Sequence, residues 1–165
     1  MLLAVQLLYG VVVSAQSYFF PIYVKESLGM ATIVVSTFVS LRQMSGFATA
    51  LIGGTLVDTV GRKWTLVLGL GFSALGSAAF LARAPWMVGL LWVVVGIAMS
   101  LESLGSQGYL IGAASGAGLG MTSALYHWGF TLGGALGSPV AGRLLDAQGY
   151  ATFAPMLIGL AAVTA

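Results

Sequence analysis

The chain has 165 residues, of which 59% are apolar and only 6% charged, with a formal net charge of +2. A soluble domain carries about 25% charged residues, so this chain cannot coat its own surface in water and membrane integration is close to forced. The small net charge argues against nucleic-acid binding, the absence of cysteine excludes disulfides and thiolate metal sites, and one histidine is too few for a His-rich metal site.

A helix of ~20 residues spans the hydrocarbon core of a bilayer. Segment 1 runs from about Leu2 to Tyr23 and ends at Pro21 and the pair Lys25 and Glu26. It is too long for the apolar region of a cleavable signal peptide, and no basic stretch precedes it. Segment 2 runs from about Ala31 to Val57 and segment 3 from about Trp64 to Ala82, with a stop at Arg83 and Pro85. Segment 4 runs from about Trp86 to Ile111. An uncharged small-residue turn is expected over Gly112–Gly118, then segment 5 over about Leu119–Leu144. Segment 6 begins near Ala151 and has 15 residues before the chain stops, too few to span. The chain is therefore expected to be the first part of something longer, cut short at Ala165. It reads as a single helical membrane domain over 1–165, with a first three-helix unit over about 1–82 and a truncated second over about 83–165.

Eight of the ten charges fall in the predicted turns: Lys25, Glu26, Asp58, Arg62, Lys63, Arg83, Arg143 and Asp146. Arg42 sits inside segment 2, Glu102 well inside segment 4, and His127 within segment 5. Ionisable groups at membrane depth cost about 2.5–3.5 kcal/mol or more, so they face a cavity or a partner. The basic residues of the turns divide two against three between the two sides, so the positive-inside rule does not orient the chain.

Polar and small residues fall in stripes at helical spacing. Segment 1 carries Gln6, Gly10, Ser14, Ser17 and Pro21, and segment 2 carries Arg42, Gly46, Thr49 and Gly53. Segment 4 carries Glu102, Ser106 and Tyr109, and segment 5 carries Ser123, His127, Thr131, Gly134 and Ser138. Segment 3 offers only Gly69, Ser73 and Gly76. Such stripes serve equally as the lining of a polar path or as contacts between helices. Glu102 and His127 fall at similar depth on consecutive antiparallel helices, where a carboxylate and an imidazole can exchange a proton. Arg42 lies closer to the other face. It either neutralises Glu102 as a buried structural pair or binds an anionic substrate. Gln6 and Thr131 complete the candidate path.

An eight-residue phrase occurs twice: Gly54 to Gly61 and Gly142 to Gly149 both read G-x-L-x-D-x-x-G. A repeat of this kind points to two similar units. Gly61 permits a positive φ at a tight turn. Gly54 removes a side chain where two helices approach, and Asp58 can accept bonds from N–H groups at a helix N-terminus. In the second copy Arg143 and Asp146 stand at i and i+3, as a local ion pair in a structural turn or as a matching outer gate.

The first copy extends as Gly54-x-Leu56-Val57-Asp58-x-x-Gly61-Arg62-Lys63 and resembles the signature loop of the major facilitator superfamily, between its second and third helices. Thr59 stands where the family usually has a basic residue. The run Gly134-Ala-Leu-Gly-Ser138-Pro139-Val-Ala-Gly142 looks like the family's fifth-helix antiporter motif. Ser138 replaces the Gly that normally precedes the Pro, and Arg143 replaces a second Gly. Trp92 stands where the family's fourth helix often carries an Arg. The resemblance implies an all-α membrane fold: the N-terminal six-helix half of a twelve-helix carrier, two inverted three-helix repeats with the last helix incomplete. It implies a central path lined by the first, second, fourth and fifth helices, with the third outside. It makes Gly54, Asp58, Gly61, Arg62 and Lys63 a cytoplasmic loop that latches the two halves. It makes Gly134, Ser138, Pro139 and Gly142 a seal against ion leak, and Pro139 is expected to bend its helix.

The expected function is secondary active transport of a small molecule by alternating access in the plasma (inner) membrane, as proton-coupled efflux. An uptake symporter or a facilitator without proton coupling is the alternative. The partners expected are the substrate, protons, the lipid bilayer and the missing C-terminal half of the same carrier; no cofactor or metal is called for. An intramembrane serine hydrolase would need a nucleophile motif, and neither Ser106 nor Ser115, with His127 as base, has one.

Overall fold

The computed structural model describes residues 2–113 and 118–164. Six helices follow one another: α1 Leu2–Ile22, α2 Thr32–Val60, α3 Arg62–Ser77, α4 Pro85–Ala113, α5 Leu119–Gln148 and α6 Tyr150–Thr164. No strand occurs among the described residues. The predicted segments are found, with shifted ends. α1 does not stop at Pro21. It runs to Ile22 and passes into a π-helical turn over Tyr23–Ser27, where the Leu28 N–H donates to the Tyr23 carbonyl at 3.2 Å. A proline removes one donor, which a packed membrane helix tolerates. α3 starts at Arg62 and closes in a 3-10 turn over Ala78–Leu81, and α5 runs through Pro139 to Gln148. The connection expected over Gly112–Gly118 falls mainly on residues 114–117, outside the described residues, and so does Ser115.

Among the described residues, three helices are long and apolar enough to cross a membrane: Leu3–Ser27, Arg62–Leu81 and Pro85–Gly112. Five were expected. α2 and α5 have 29 and 30 residues, so length is not what they lack. Each is diluted by glycines, hydroxyls and a charged end, the composition of a helix with one side turned away from lipid. The other side of α5 is apolar. Met121, Leu125, Trp128, Leu132, Leu136 and Val140 are exposed along one stripe, as lipid contact requires.

One end of the bundle is an aromatic plug. The C-terminal ends of α1, α3 and α5 meet the N-terminal ends of α2, α4 and α6 there, burying Phe20, Tyr23, Phe38, Phe80, Trp92 and Phe153. Phe20 stacks on Trp92 with centroids 3.4 Å apart, and Phe80 meets Phe153 edge-on at 5.3 Å. Such pairs add ~0.5–1.5 kcal/mol each beyond area burial.

Away from the plug, small residues set the seams. Lipid tails are as apolar as leucine, so helices associate in the membrane through close packing. α5 presents Gly129, Gly133 and Gly137, four residues apart, to Leu3, Leu7 and Val11, also four apart on α1. Gly46 of α2 faces Gly96 of α4, and Gly69 of α3 lies against the backbone of Ala98 and Glu102.

The repeated phrase folds into the same turn twice. Gly61 has φ +90° and Gly149 φ +71°. Their N–H groups donate to the carbonyls of Val57 at 3.1 Å and Leu145 at 2.8 Å. Their own carbonyls accept from Thr65 at 3.1 Å and Phe153 at 3.2 Å, in the first turn of the next helix. Glycine alone takes this backbone form freely. Gly61→Ala and Gly149→Ala are each expected to destabilise by about 1–3 kcal/mol, read as matching falls in the thermal midpoint in detergent.

Candidate functional site

Glu102, on α4, is a buried carboxylate, 5% exposed. It lies about 16 Å of helix rise from Ala113, well inside the bundle. Three donors from three helices converge on its Oε1. Gln6 of α1 donates from Nε2 at 2.5 Å, Ser106 of α4 from its hydroxyl at 2.6 Å, and Tyr126 of α5 from its phenol at 3.0 Å. Gln6 also donates to the Tyr126 oxygen at 2.7 Å. The cluster thus joins α1, α4 and α5 through one carboxylate oxygen. All three donors are neutral. Hydrogen bonds to a charged acceptor contribute ~1.5–3 kcal/mol each, enough together to hold a buried carboxylate without a cation.

Arg42 is not Glu102's partner. Its Nη1 donates to Ser17 of α1 at 3.2 Å, and its guanidinium carbon lies 5.4 Å from the centroid of the Trp92 ring. The reason is the stripe on α1. Gln6 takes Glu102 and Ser17 takes Arg42, and these two residues are about 16 Å apart along the helix. One polar stripe therefore holds the two membrane-depth charges apart. Trp92, at the position where an Arg was noted as usual, forms the floor beneath Arg42.

His127 is exposed and is not among the groups bonded to Glu102. Its ring meets that of Tyr126 edge-on at 5.4 Å, and it lines a groove of about 450 Å³ between α4 and α5 with Ser103, Gln107 and Ser123. The phenol one residue earlier takes the place expected of the imidazole. Spacing on α5 carried a signal for it. The buried positions of this helix are Tyr126, Gly129, Gly133, Gly137 and Ala141, so the glycine seam extended backwards reaches Tyr126. Thr131, Gly134, Ser138 and Pro139 line a second groove of about 450 Å³ with Ser14 and Tyr18 of α1. The Ser138 hydroxyl donates to the Gly134 carbonyl at 2.8 Å within its own helix. Gly142 rests on Phe19. A further polar contact escaped the stripes: buried Gln16 donates from Nε2 to the Ser73 carbonyl at 3.1 Å and to the Ser77 hydroxyl at 2.8 Å, fixing α1 to α3.

In the loop at the opposite end from the plug, Asp58, Arg62 and Lys63 are exposed. The first turn of α3 takes no side-chain cap, so Asp58 does not serve it as one. Gly54 is also exposed, and a Cβ there would meet nothing within 4 Å, so it marks no close helix approach among the described residues. Arg62 lies along α4 at Gly108, and the Lys63 ammonium is 5.7 Å from the Trp64 ring. In the second copy Arg143 and Asp146 are both exposed. Tyr150 instead stacks on Phe80 at 5.9 Å, within the aromatic plug.

A helical bundle with apolar outer stripes, inward polar groups at membrane depth and grooves between its helices is an integral membrane protein of the carrier class. The chain matches the Major Facilitator Superfamily over residues 2–165 and belongs to that family. Its function is accordingly membrane transport. No curated protein matches the chain.

Proposed function

We propose that the protein is a secondary active transporter that works by alternating access and exports a small molecule against an inward flow of protons, with Glu102 as the proton-carrying group. The observation that carries this reading is the Glu102 carboxylate itself, buried and held by Gln6, Ser106 and Tyr126. Its bonded partners among the described residues are all neutral. A group that must both lose and regain a proton is better served by neutral donors, which steady the anion without pinning it. Helices α1 to α5 cross the plasma membrane, and α6 is the incomplete last helix of this half. A second six-helix half, C-terminal to this one in the same carrier, closes the path over the grooves of α1, α2, α4 and α5. The units over 1–82 and 83–165 are inverted repeats, a reading supported by the shared turn at Gly61 and Gly149. The test is flux in proteoliposomes carrying the complete carrier, with and without an imposed pH gradient. Gradient-independent flux sinks proton-coupled efflux and favours a facilitator.

The loop Gly54, Asp58, Gly61, Arg62 and Lys63 latches the two halves on the cytoplasmic side. The open space at Gly54 and the exposure of its charged neighbours support this, because a surface that nothing among the described residues covers is available to the second half. Gly54→Leu is expected to leave the thermal midpoint of the 165-residue chain unchanged and to slow transport by the complete carrier several-fold. Equal losses in both assays would make Gly54 a structural position only. Gly134, Ser138, Pro139 and Gly142 seal the α1–α5 groove against ions.

A further inference from the structure

We propose that Arg42 is the anion-binding point of the transport path, so that the transported molecule is a small organic acid carried as its anion. This rests on the carrier reading above and is independent of the coupling ion. Arg42 stands about 15 Å of rise from the start of α2, at a depth where a charge calls for a counter-charge. Among the described residues no carboxylate is bonded to it. Arg42 gives one hydrogen bond, to the Ser17 hydroxyl, and its Nε is buried with no partner. Glu102, the carboxylate at comparable depth, is already occupied by Gln6, Ser106 and Tyr126. A guanidinium built only for structure has its donors paired. The Arg42 side chain is only half-buried and lines a groove, so its hydrogen bonding is open to completion from that side.

The surroundings fit that use. The guanidinium carbon lies 5.4 Å from the centroid of the Trp92 ring, and Trp92 is held in place by its stack on Phe20. The cation is therefore supported from the Trp92 side, and a guanidinium can bind a carboxylate through two parallel hydrogen bonds. A groove of about 220 Å³ opens beside it, lined by Arg42, Gln43, Phe47, Met99 and Ser100, with Gly46 and Gly96 leaving part of the wall bare. Phe47 and Met99 offer an apolar side to the body of the molecule, and Gln43 and Ser100 offer hydrogen bonds. Pockets that enclose drug-sized ligands measure about 300–1,000 Å³. The smaller groove here suits a single ring or a short chain bearing one acidic group.

Benzoate and its uncharged isostere benzamide are the probes. Modification of arginines by phenylglyoxal is followed residue by residue by mass spectrometry on the purified protein. Benzoate is expected to slow modification of Arg42 several-fold, with Arg62, Arg83 and Arg143 in the turns unaffected, and benzamide is expected to have no effect. Binding of radiolabelled benzoate is expected to fall about tenfold or more in Arg42→Gln, and less in Arg42→Lys, which keeps the charge but loses the planar fork. Uniform slowing at all four arginines, equal protection by benzamide, or unchanged binding in Arg42→Gln overturns the proposal. So does absence of protection, the result expected if a carboxylate of the second half occupies Arg42. The protection assay uses the unaltered protein and decides the matter even where Arg42→Gln does not fold. Flux that ignores the pH gradient, with benzoate protection intact, sinks proton coupling and leaves the anion site standing.

Discussion

Glu102→Gln is expected to abolish accumulation driven by a pH gradient while leaving the fold in place. Glutamine keeps the size of the side chain and an oxygen that accepts from Gln6, Ser106 and Tyr126. It cannot take up or release a proton. Two stability terms oppose each other in this variant. Each donor now meets a neutral acceptor, worth ~0.5–1.5 instead of ~1.5–3 kcal/mol, but the penalty for burying a charge is gone. The thermal midpoint should therefore stay close to that of the unaltered protein. The accumulation ratio under a gradient should fall about tenfold or more, a loss of ~1.4 kcal/mol or more of coupling, while exchange without a gradient persists. Glu102→Ala is a different experiment. It strands Gln6, Ser106 and Tyr126 without their acceptor, which costs about 1–3 kcal/mol for each donor left unsatisfied. Undiminished accumulation in the Gln variant would move the proton elsewhere, and His127 in the neighbouring groove would be tested next.

Much of this arrangement was legible in residue order. Apolar runs located the six helices, and the repeated phrase located two turns that share one backbone form at Gly61 and Gly149. The stripe on segment 1 was real, and it is the stripe that reaches both deep charges. What escaped were the pairings. Depth along a helix can be counted from a sequence, but the rotation that decides whether Tyr126 or His127 faces α4 depends on how α5 seats on α1. That seat is set by Gly129, Gly133 and Gly137 against Leu3, Leu7 and Val11, and spacing within one helix does not name the residues opposite. The Arg42–Glu102 pairing failed for a related reason. Opposite charge suggested attraction, while two short polar side chains on α1, Gln6 and Ser17, had already engaged each charge separately. Gly54 shows a third limit. Its motif implies a close approach, and no approaching surface is found among the described residues.

Gly69→Ala is expected to lower both stability and coupled flux, although it adds a single methyl group to a helix that bonds none of its side chains to Glu102. A Cβ at Gly69 would lie 2.5 Å from the Glu102 nitrogen, 2.9 Å from its Cα and 3.0 Å from the Ala98 carbonyl oxygen. All three are backbone atoms, so none can swing aside as a side-chain end would. α3 and α4 must part along their seam, and overpacking of this kind costs typically 1–3 kcal/mol. The displacement is delivered at the residue whose carboxylate must meet Gln6 and Tyr126. Those two sit on α1 and α5, which are locked together by their own glycine seam and do not follow α4. The expected result is a lower thermal midpoint together with a loss of gradient-driven flux. Gly71→Ala provides the contrast. It lies two residues further along the same helix, and its Cβ would meet nothing within 4 Å. It should be silent in transport and neutral or stabilising by up to ~1 kcal/mol, the usual gain on replacing a mid-helix glycine. Unchanged midpoint and unchanged flux in Gly69→Ala would show that α3 is free to lean away from α4, and that the third helix is no part of the frame that holds Glu102.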